Sequence, residues 1–240
     1  MFETFDDKNM DLLFEDQDKC AEILKNDMDN QSLRRMYCRT NIIIIEGVLS
    51  VFKTFTYESY NITIYPVLKI IQALNLKSDV ALFQNVINPE EAVLLCDDVP
   101  YVNSSGGIKL KSNNLSFITN FKFTFKMIEK VFKIDCNIDY SKTKEWNQLL
   151  NTVKIRNTLT HPKPNSILDI SDENLKDCAL SCQWLLDLSG GIFEKISDCI
   201  EKSEKECLEN KEISMLIALG NSNSEDIESF IHEKKSNRKG

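Results

Sequence analysis

The sequence predicts an all-α fold, a helical bundle with a long core helix, one irregular insertion and peripheral helices. Only 7 of the 240 residues are glycine and 5 are proline, and so few turn residues disfavour a sheet of many strands. Apolar residues instead recur at intervals of three and four in several long stretches, which is the period of an amphipathic helix. A chain of this length also buries enough apolar surface to form its own core.

The two N-terminal helices differ in character. Residues 1–27 are acidic and weakly amphipathic, so we expect a helical extension that ends near Asn26. From residue 31 to about residue 57 the apolar side chains keep helical spacing, which predicts the central core helix. Asn30 or Ser32 is suited to cap its first turn.

The middle of the chain holds a second apolar pattern and the densest cluster of helix-breaking residues. The pattern over residues 61–86 includes Pro66, which suits the first turn of a helix. Prolines, glycines and asparagines then predict an exposed insertion near residues 88–115, with a short helix or strand at Ala92–Cys96. Residues 104–109 lack the glycine and lysine spacing of a phosphate-binding loop, so we expect a flexible loop there.

Two amphipathic helices follow the insertion. Residues 116–134 place phenylalanines on one face and lysines on the other. Thr143 is suited to cap a helix over residues 144–160, and Pro162 disfavours helical geometry at His161, so this helix should end at or just before the histidine. Its predicted apolar stripe consists of Trp146, Leu149, Leu150 and Val153.

The last long helix has a strong start signal. Ser171 supplies a capping hydroxyl, and the carboxylates of Asp172 and Glu173 complement the positive end of the helix dipole. A seam at alternating spacings of three and four then runs from Leu175 to Ile200 and needs a partner along its length. The predicted domains are a helical extension at 1–27, a helical domain at 28–208 with the insertion inside it, and a short helix with a polar tail at 209–240.

Charge is distributed unevenly along the chain. The net charge of −8 argues against a general nucleic-acid binder. Residues 109–163, however, contain 11 basic and four acidic residues, a local balance of +7, which leaves −15 for the rest. Such a chain can offer a positive face to a polyanion, or it can simply carry two solvated faces of opposite sign.

Cysteine usage and hydropathy bear on compartment and cofactors. The eight cysteines form no C-x-x-C pair and the N-terminus is acidic, so we expect a reduced, cytoplasmic protein. Cys178 and Cys182 lie one helical turn apart, a spacing that metal ligands use, but core packing is the favoured role and we predict no metal or other cofactor. The strongest apolar run, residues 42–52, is too short to cross a bilayer, so no membrane partner is expected.

The residues with the most pronounced chemistry are Arg156 and His161. Arg156 follows Leu149 by seven positions, so its guanidinium lies on or beside a stripe that should be buried. Either a core carboxylate such as Glu46 meets it, or the stripe reaches water here and an anion binds. His161 lies five residues on, about 140° round an ideal helix. A break at Pro162, or a second copy of the chain, would be needed to bring the two side chains together.

The run Arg156-Asn157-x-x-x-His161 resembles the R-x4-H signature of the HEPN superfamily (higher eukaryotes and prokaryotes nucleotide-binding domains). The resemblance would cover the helices from roughly residue 31 to residue 207. It implies a helical bundle that dimerises, with paired arginines and histidines in a cleft between protomers that cuts RNA without a metal ion. Many members are toxins or parts of anti-phage defence systems. One branch extends the motif to H-x-Y, but Pro162 and Lys163 follow His161 here, so regulation by tyrosine modification is not carried over.

The resemblance implies a metal-independent endoribonuclease that works as a homodimer on single-stranded RNA. His161 would act as general base or acid, Arg156 as phosphate clamp and Asn157 as the residue that orients the histidine or the phosphate. A cognate inhibitor or a defence-system partner protein would fit this class. The predicted RNA-binding lysines are Lys154, Lys163, Lys122 and Lys126.

Other interpretations stay open. Arg39 and Glu46 share a helix face, and they either line the cleft or form an internal salt bridge. His161 can also be a helix-end histidine stabilised by the dipole. The main alternative function is a non-catalytic HEPN-like module that binds RNA or a partner protein, and another is a structural protein that docks through the seam from Leu175 to Ile200.

Overall fold

The computed structural model describes residues 8–64, 87–96, 98–113, 115–141, 143–164 and 168–209. The predicted all-α fold class is confirmed, because 74% of the described residues are helical and 6% lie in strands. None of the described helices is both long and apolar enough to span a membrane. Two predicted segments lie outside the described residues. They are the part of the helical pattern over 61–86 that follows residue 64, and the tail from residue 210 onward. The helices are α1 (Lys8–Asn26), α2 (Gln31–Glu58), α3 (Pro89–Leu94), α4 (Phe117–Phe132), α5 (Lys144–Thr160) and α6 (Asp172–Glu209).

Side-chain caps start the helices where the sequence predicted. Asn30 caps α2, because its Oδ1 accepts hydrogen bonds from the backbone N–H groups of Ser32 and Leu33 at 3.0 and 3.3 Å. Thr143 Oγ1 and Ser171 Oγ accept the amide three residues on in the same way, at 3.3 and 3.2 Å. Each cap satisfies a donor that the first helical turn leaves unpaired. Helix α2 continues into a short π-helix at Ser59–Ile64.

The chain divides into two compact units. The first comprises Met1–Val51 and Asn137–Gly191, and the second comprises Phe52–Cys136 and Ile192–Gly240. The division falls inside α2 and inside α6. The domain boundaries drawn from the sequence, near residues 27 and 208, stay predictions.

The core of the first unit is built by α1, α2, α5 and α6, and it contains a buried pair of hydroxyl groups. Thr152 is 1% exposed, and its hydroxyl lies 2.9 Å from the hydroxyl of Ser181. The stripe predicted for α5 is correct at Trp146 and Leu149 but wrong further on, since Val153 is only half-buried. Helix α5 is rotated from the predicted stripe because paired Thr152 can be buried, which hydrophobicity alone does not reveal. The hydrophobic cluster here comprises Leu24, Cys38, Ile155, Leu159, Ile170, Leu175 and Cys178.

The core of the second unit is aromatic. Phe52 stacks on Phe193 with ring centroids 4.8 Å apart, and Phe55 stacks on Phe132 at 5.4 Å. Helix α4 has the predicted division into an apolar buried face and an exposed basic face. Its buried side chains are Phe121, Thr124, Phe125, Met127, Ile128, Val131 and Phe132.

The seam predicted on α6 is covered by the chain itself. Leu175, Cys178, Cys182 and Leu185 are all buried, and so is Ile196 in the second unit. These residues therefore offer no exposed surface to which a partner protein could dock.

The insertion is more regular than predicted. Helix α3 begins at Pro89 behind Asn88, whose side chain and backbone form a capping box with Glu91. Strands β1 (Asp98–Val102) and β2 (Ile108–Ser112) then form an antiparallel hairpin. The loop predicted at 104–109 is confirmed over residues 104–107, which form the hairpin turn, but Ile108 and Lys109 already belong to β2. Asn103 organises this turn by accepting hydrogen bonds from the backbone N–H groups of Ser105 and Gly107 at 3.1 and 2.8 Å.

Arg34 ties the start of α2 to the segment in front of α6. It is 6% exposed. Its Nε donates to the carbonyl of Met28 at 2.6 Å, its Nη1 donates to the carbonyl of Ile170 at 2.8 Å, and its Nη2 pairs with Asp172 at 2.7 Å. A buried guanidinium needs such partners, and these fix the chain just before α6.

We predict that Arg34→Ala lowers the free energy of unfolding by about 2–3 kcal/mol. The carbonyl of Met28 loses its donor, the carbonyl of Ile170 keeps only a 3.3 Å bond from Gln31, and the ion pair with Asp172 is lost. The neighbouring Arg35 is the matched control. It reaches the carbonyl of Leu168 only at 3.4 Å in an exposed bond, so Arg35→Ala should cost less than about 0.5 kcal/mol. Urea unfolding of both variants measures this, and equal losses would contradict it.

Candidate functional site

Helix α5 ends where the motif ends. Thr160 is its last residue, and His161 leaves the helix with φ −128° and ψ 65°. The backbone N–H of His161 still donates to the carbonyl of Asn157 at 3.0 Å. Pro162 follows and cannot continue the backbone hydrogen bonds, so the predicted stop before the histidine is confirmed. The side chain of His161 is exposed to solvent.

Arg156 pairs with Glu46, across from it on α2. The guanidinium Nε donates to Glu46 Oε1 at 2.9 Å, and the two side chains are 34% and 38% exposed. Nη1 donates to Asn157 Oδ1 at 3.2 Å. The pair is therefore the carboxylate contact that the sequence allowed for, but it lies at the surface and not sealed in the core. Both side chains of the pair are therefore partly accessible to solvent.

The face of α2 that carries Arg39 and Glu46 contacts the end of α5. Arg39 is exposed, and its Nη2 donates to the carbonyl of Leu159 at a long 3.5 Å. Within the part of the chain that the structure describes, Glu46 pairs with Arg156 and no ion pair joins it to Arg39. The internal Arg39–Glu46 salt bridge, one of the two alternatives, is therefore wrong. Both side chains border the end of α5 instead.

The structure brings some of the predicted site residues together and leaves others apart. Arg156, Asn157 and Glu46 are in direct contact, and His161 joins them through its backbone bond to Asn157. Among the described residues, no hydrogen bond links the His161 imidazole to Arg156. Lys154 and Lys163 are exposed in the same unit, whereas Lys122 and Lys126 are exposed on α4 in the second unit.

A polar chain on the flank of α5 was missed by the sequence analysis. Lys154 Nζ donates to Asn151 Oδ1 at 3.2 Å, and Asn151 Nδ2 donates to Asp177 Oδ2 at 3.0 Å. Asp177 is 7% exposed, so this network joins an exposed cation to a buried carboxylate. The only sequence signal was the one-turn spacing of Asn151 and Lys154, and nothing in the sequence linked them to Asp177 on another helix.

The buried cysteines are packing residues. A thiol hydrogen bond with Cys38, followed by burial, raises the pKa of Cys178 far above its usual range. Burial raises the pKa of Cys182 to about 11. Both therefore stay protonated near neutral pH, and a protonated thiol is a poor metal ligand and nucleophile. In the described segments no group of three or more histidine, cysteine or acidic side chains could hold a metal ion.

Comparison with known proteins found no relative of this chain. No protein-family model, curated protein or solved structure matches the chain. The resemblance to the HEPN superfamily rests on the motif, on its position at a helix end and on the helical context.

We predict that Glu46 and Arg156 are coupled by less than about 1 kcal/mol, because ion pairs this exposed are screened by water. A double-mutant cycle with Glu46→Gln, Arg156→Gln and both together, followed by urea unfolding, measures the coupling. A coupling free energy of several kcal/mol would mean that the ion pair stabilises the fold, and that Arg156 is not a site residue held at the surface.

Proposed function

We propose that this chain is a metal-independent endoribonuclease of the HEPN type that acts as a homodimer. The observation that carries the proposal is the end of α5, where the motif residues Arg156, Asn157 and His161 stand at the surface and the helix stops between the last two. A partly exposed arginine and an exposed histidine, five residues apart in sequence at a helix end, suit the binding of a phosphodiester.

The geometry of Arg156 suits a phosphate clamp. A guanidinium carries five N–H groups in a planar fork that matches the oxygens of a phosphate. Within the described residues Arg156 donates to Glu46 and to Asn157 through Nε and Nη1. These two contacts hold the fork in one orientation, and its Nη2 edge can serve the phosphate. The same fork would stabilise the extra negative charge of the pentacovalent transition state.

The chemistry assigned to His161 is proton transfer. In the proposed reaction a base takes the proton of the RNA 2′-hydroxyl, the 2′-oxygen attacks the phosphorus, and the bond from phosphorus to the 5′-oxygen breaks. An acid protonates that leaving 5′-oxygen, which leaves a 2′,3′-cyclic phosphate and a 5′-hydroxyl. An imidazole performs either role near neutral pH. The motif contributes one imidazole per chain, so a second subunit would supply the other.

The lysines would add attraction for RNA without taking part in the chemistry. Lys154 and Lys163 are exposed near the motif in sequence, and phosphate contacts of this kind position a nucleic acid. The part proposed for Lys122 and Lys126 rests on their charge alone. Nucleases of this class act as toxins or in anti-phage defence, and an inhibitor or a defence-system partner would restrain such an activity in the cell.

The proposal predicts that the purified protein cleaves single-stranded RNA in the presence of EDTA. Arg156→Ala and His161→Ala should each lower the cleavage rate at least about 100-fold, because each removes a group that acts in the transition state. Gel analysis of a labelled oligonucleotide measures the rate, and the 2′,3′-cyclic phosphate end identifies the mechanism.

Two matched variants control this experiment. Arg35→Ala and His232→Ala remove the same side chains at positions outside the motif, and both should cleave as the wild type does. If the wild type does not cleave, or the motif variants cleave equally well, the nuclease proposal fails.

The second candidate is a non-catalytic module that binds RNA or a partner protein through the same face. The Arg156–Glu46 ion pair favours it, because a paired arginine also has a structural use. Strongly salt-dependent RNA binding without cleavage would select this reading.

A further inference from the structure

The hairpin of β1 and β2 carries an exposed apolar face. Residues paired across an antiparallel ladder lie on the same face, so Val102 with Ile108, and Pro100 with Leu110, form one surface. Val102, Ile108 and Leu110 are 68%, 78% and 67% exposed. The opposite face carries the Tyr101–Lys109 pair and Lys111, whose Nζ lies 5.8 Å from the centre of the Tyr101 ring. Next to its turn, the hairpin is thus apolar on one side, whereas the other side carries two lysines.

The two outer edges of this hairpin differ. The N–H of Asn103 donates to the carbonyl of Gly107 at 2.9 Å, and hydrogen-bonded pairs alternate along an antiparallel ladder. Because of this alternation, the N–H and C=O groups of Ile108 and Leu110 point away from β1, along the free edge of β2. The same alternation turns Pro100 outward on the edge of β1, where a residue without N–H weakens pairing. The edge of β2 is therefore the one that can accept another strand.

A two-stranded sheet that exposes an apolar face is marginal by itself. Stable sheets have a third strand or pack against another element, and within the described residues this sheet has two strands. We propose that the edge of β2 binds an extended segment of a partner protein in which apolar and acidic residues alternate. This goes beyond the proposed nuclease activity and does not depend on it.

The alternation of β2 specifies that partner. A strand added to the edge extends both faces, so its side chains beside Ile108 and Leu110 would be apolar and those beside Lys109 and Lys111 would be acidic. A second copy of β2 fits poorly, since an antiparallel register centred on Leu110 sets Lys109 of one chain opposite Lys111 of the other. RNA would contact the lysines but leave the apolar face in water. The charge of the lysines and the burial of the apolar face together favour a partner strand in which acidic and apolar residues alternate.

Fluorescence anisotropy with the full chain tests the charge preference. The probe is a labelled peptide that alternates valine and glutamate, and the matched control peptide has lysine in place of glutamate. The wild type should bind the glutamate peptide at least about tenfold more tightly, and the Lys109→Glu/Lys111→Glu variant should reverse this preference. Unchanged preference in the variant, or no binding of either peptide by the wild type, overturns the proposal.

A second variant tests the edge itself. Leu110→Pro removes an outward N–H without removing a bond between β1 and β2, just as Pro100 does on the other strand. It should weaken binding of the glutamate peptide roughly tenfold, while Leu110→Ala, which keeps the N–H, should lose less. Circular dichroism checks that both variants fold. Equal binding by Leu110→Pro and wild type, or displacement of the peptide by single-stranded RNA, assigns the surface another role.

Discussion

The ion pair between Arg156 and Glu46 is the contact on which the proposed site depends. It joins α5 to α2 at 2.9 Å and leaves both side chains about one third exposed. A fully buried pair would make Arg156 part of the core, and an unpaired arginine would move freely in solvent, with its orientation lost. The Oδ1 of Asn157 accepts a hydrogen bond from Nη1 of the same guanidinium. The fork is thereby oriented while its outer edge can meet an anion.

The rest of the first unit positions this pair. Thr143 starts α5 and Pro162 stops it, so the length of the helix places Arg156 in its last turns and His161 beyond its end. The buried Thr152–Ser181 hydrogen bond sets which face of α5 turns inward. Arg34 then anchors the chain that leads from the histidine into α6. Caps, one buried hydrogen bond and one buried arginine therefore determine where the motif lies.

Local signals made much of this fold predictable, and long-range contacts made the rest unpredictable. The all-α class, the bounds of α5 and the caps at Asn30, Thr143 and Ser171 follow from residues close together in sequence. The rotation of α5 depends on Ser181, and the tie from Arg34 to the start of α6 depends on Ile170 and Asp172. These partners lie more than twenty residues away in sequence, and periodicity does not reveal them. The hairpin was missed because strands of five residues within a cluster of turn residues give a weak signal. Arg156 and Glu46 were each named as candidates, but only the structure shows how exposed their pair is.

The proposed nuclease activity requires that Arg156 and His161 contact the same phosphate. The chain contains two histidines, so the imidazole resonances in an NMR spectrum are assigned by comparison with His161→Gln. A 2′-O-methyl RNA oligonucleotide is the probe, because it has no 2′-hydroxyl to react. We predict that this RNA shifts the His161 resonance and that Arg156→Gln abolishes most of the shift. A His161 resonance that RNA leaves unmoved, or that moves equally in the Arg156 variant, would contradict it.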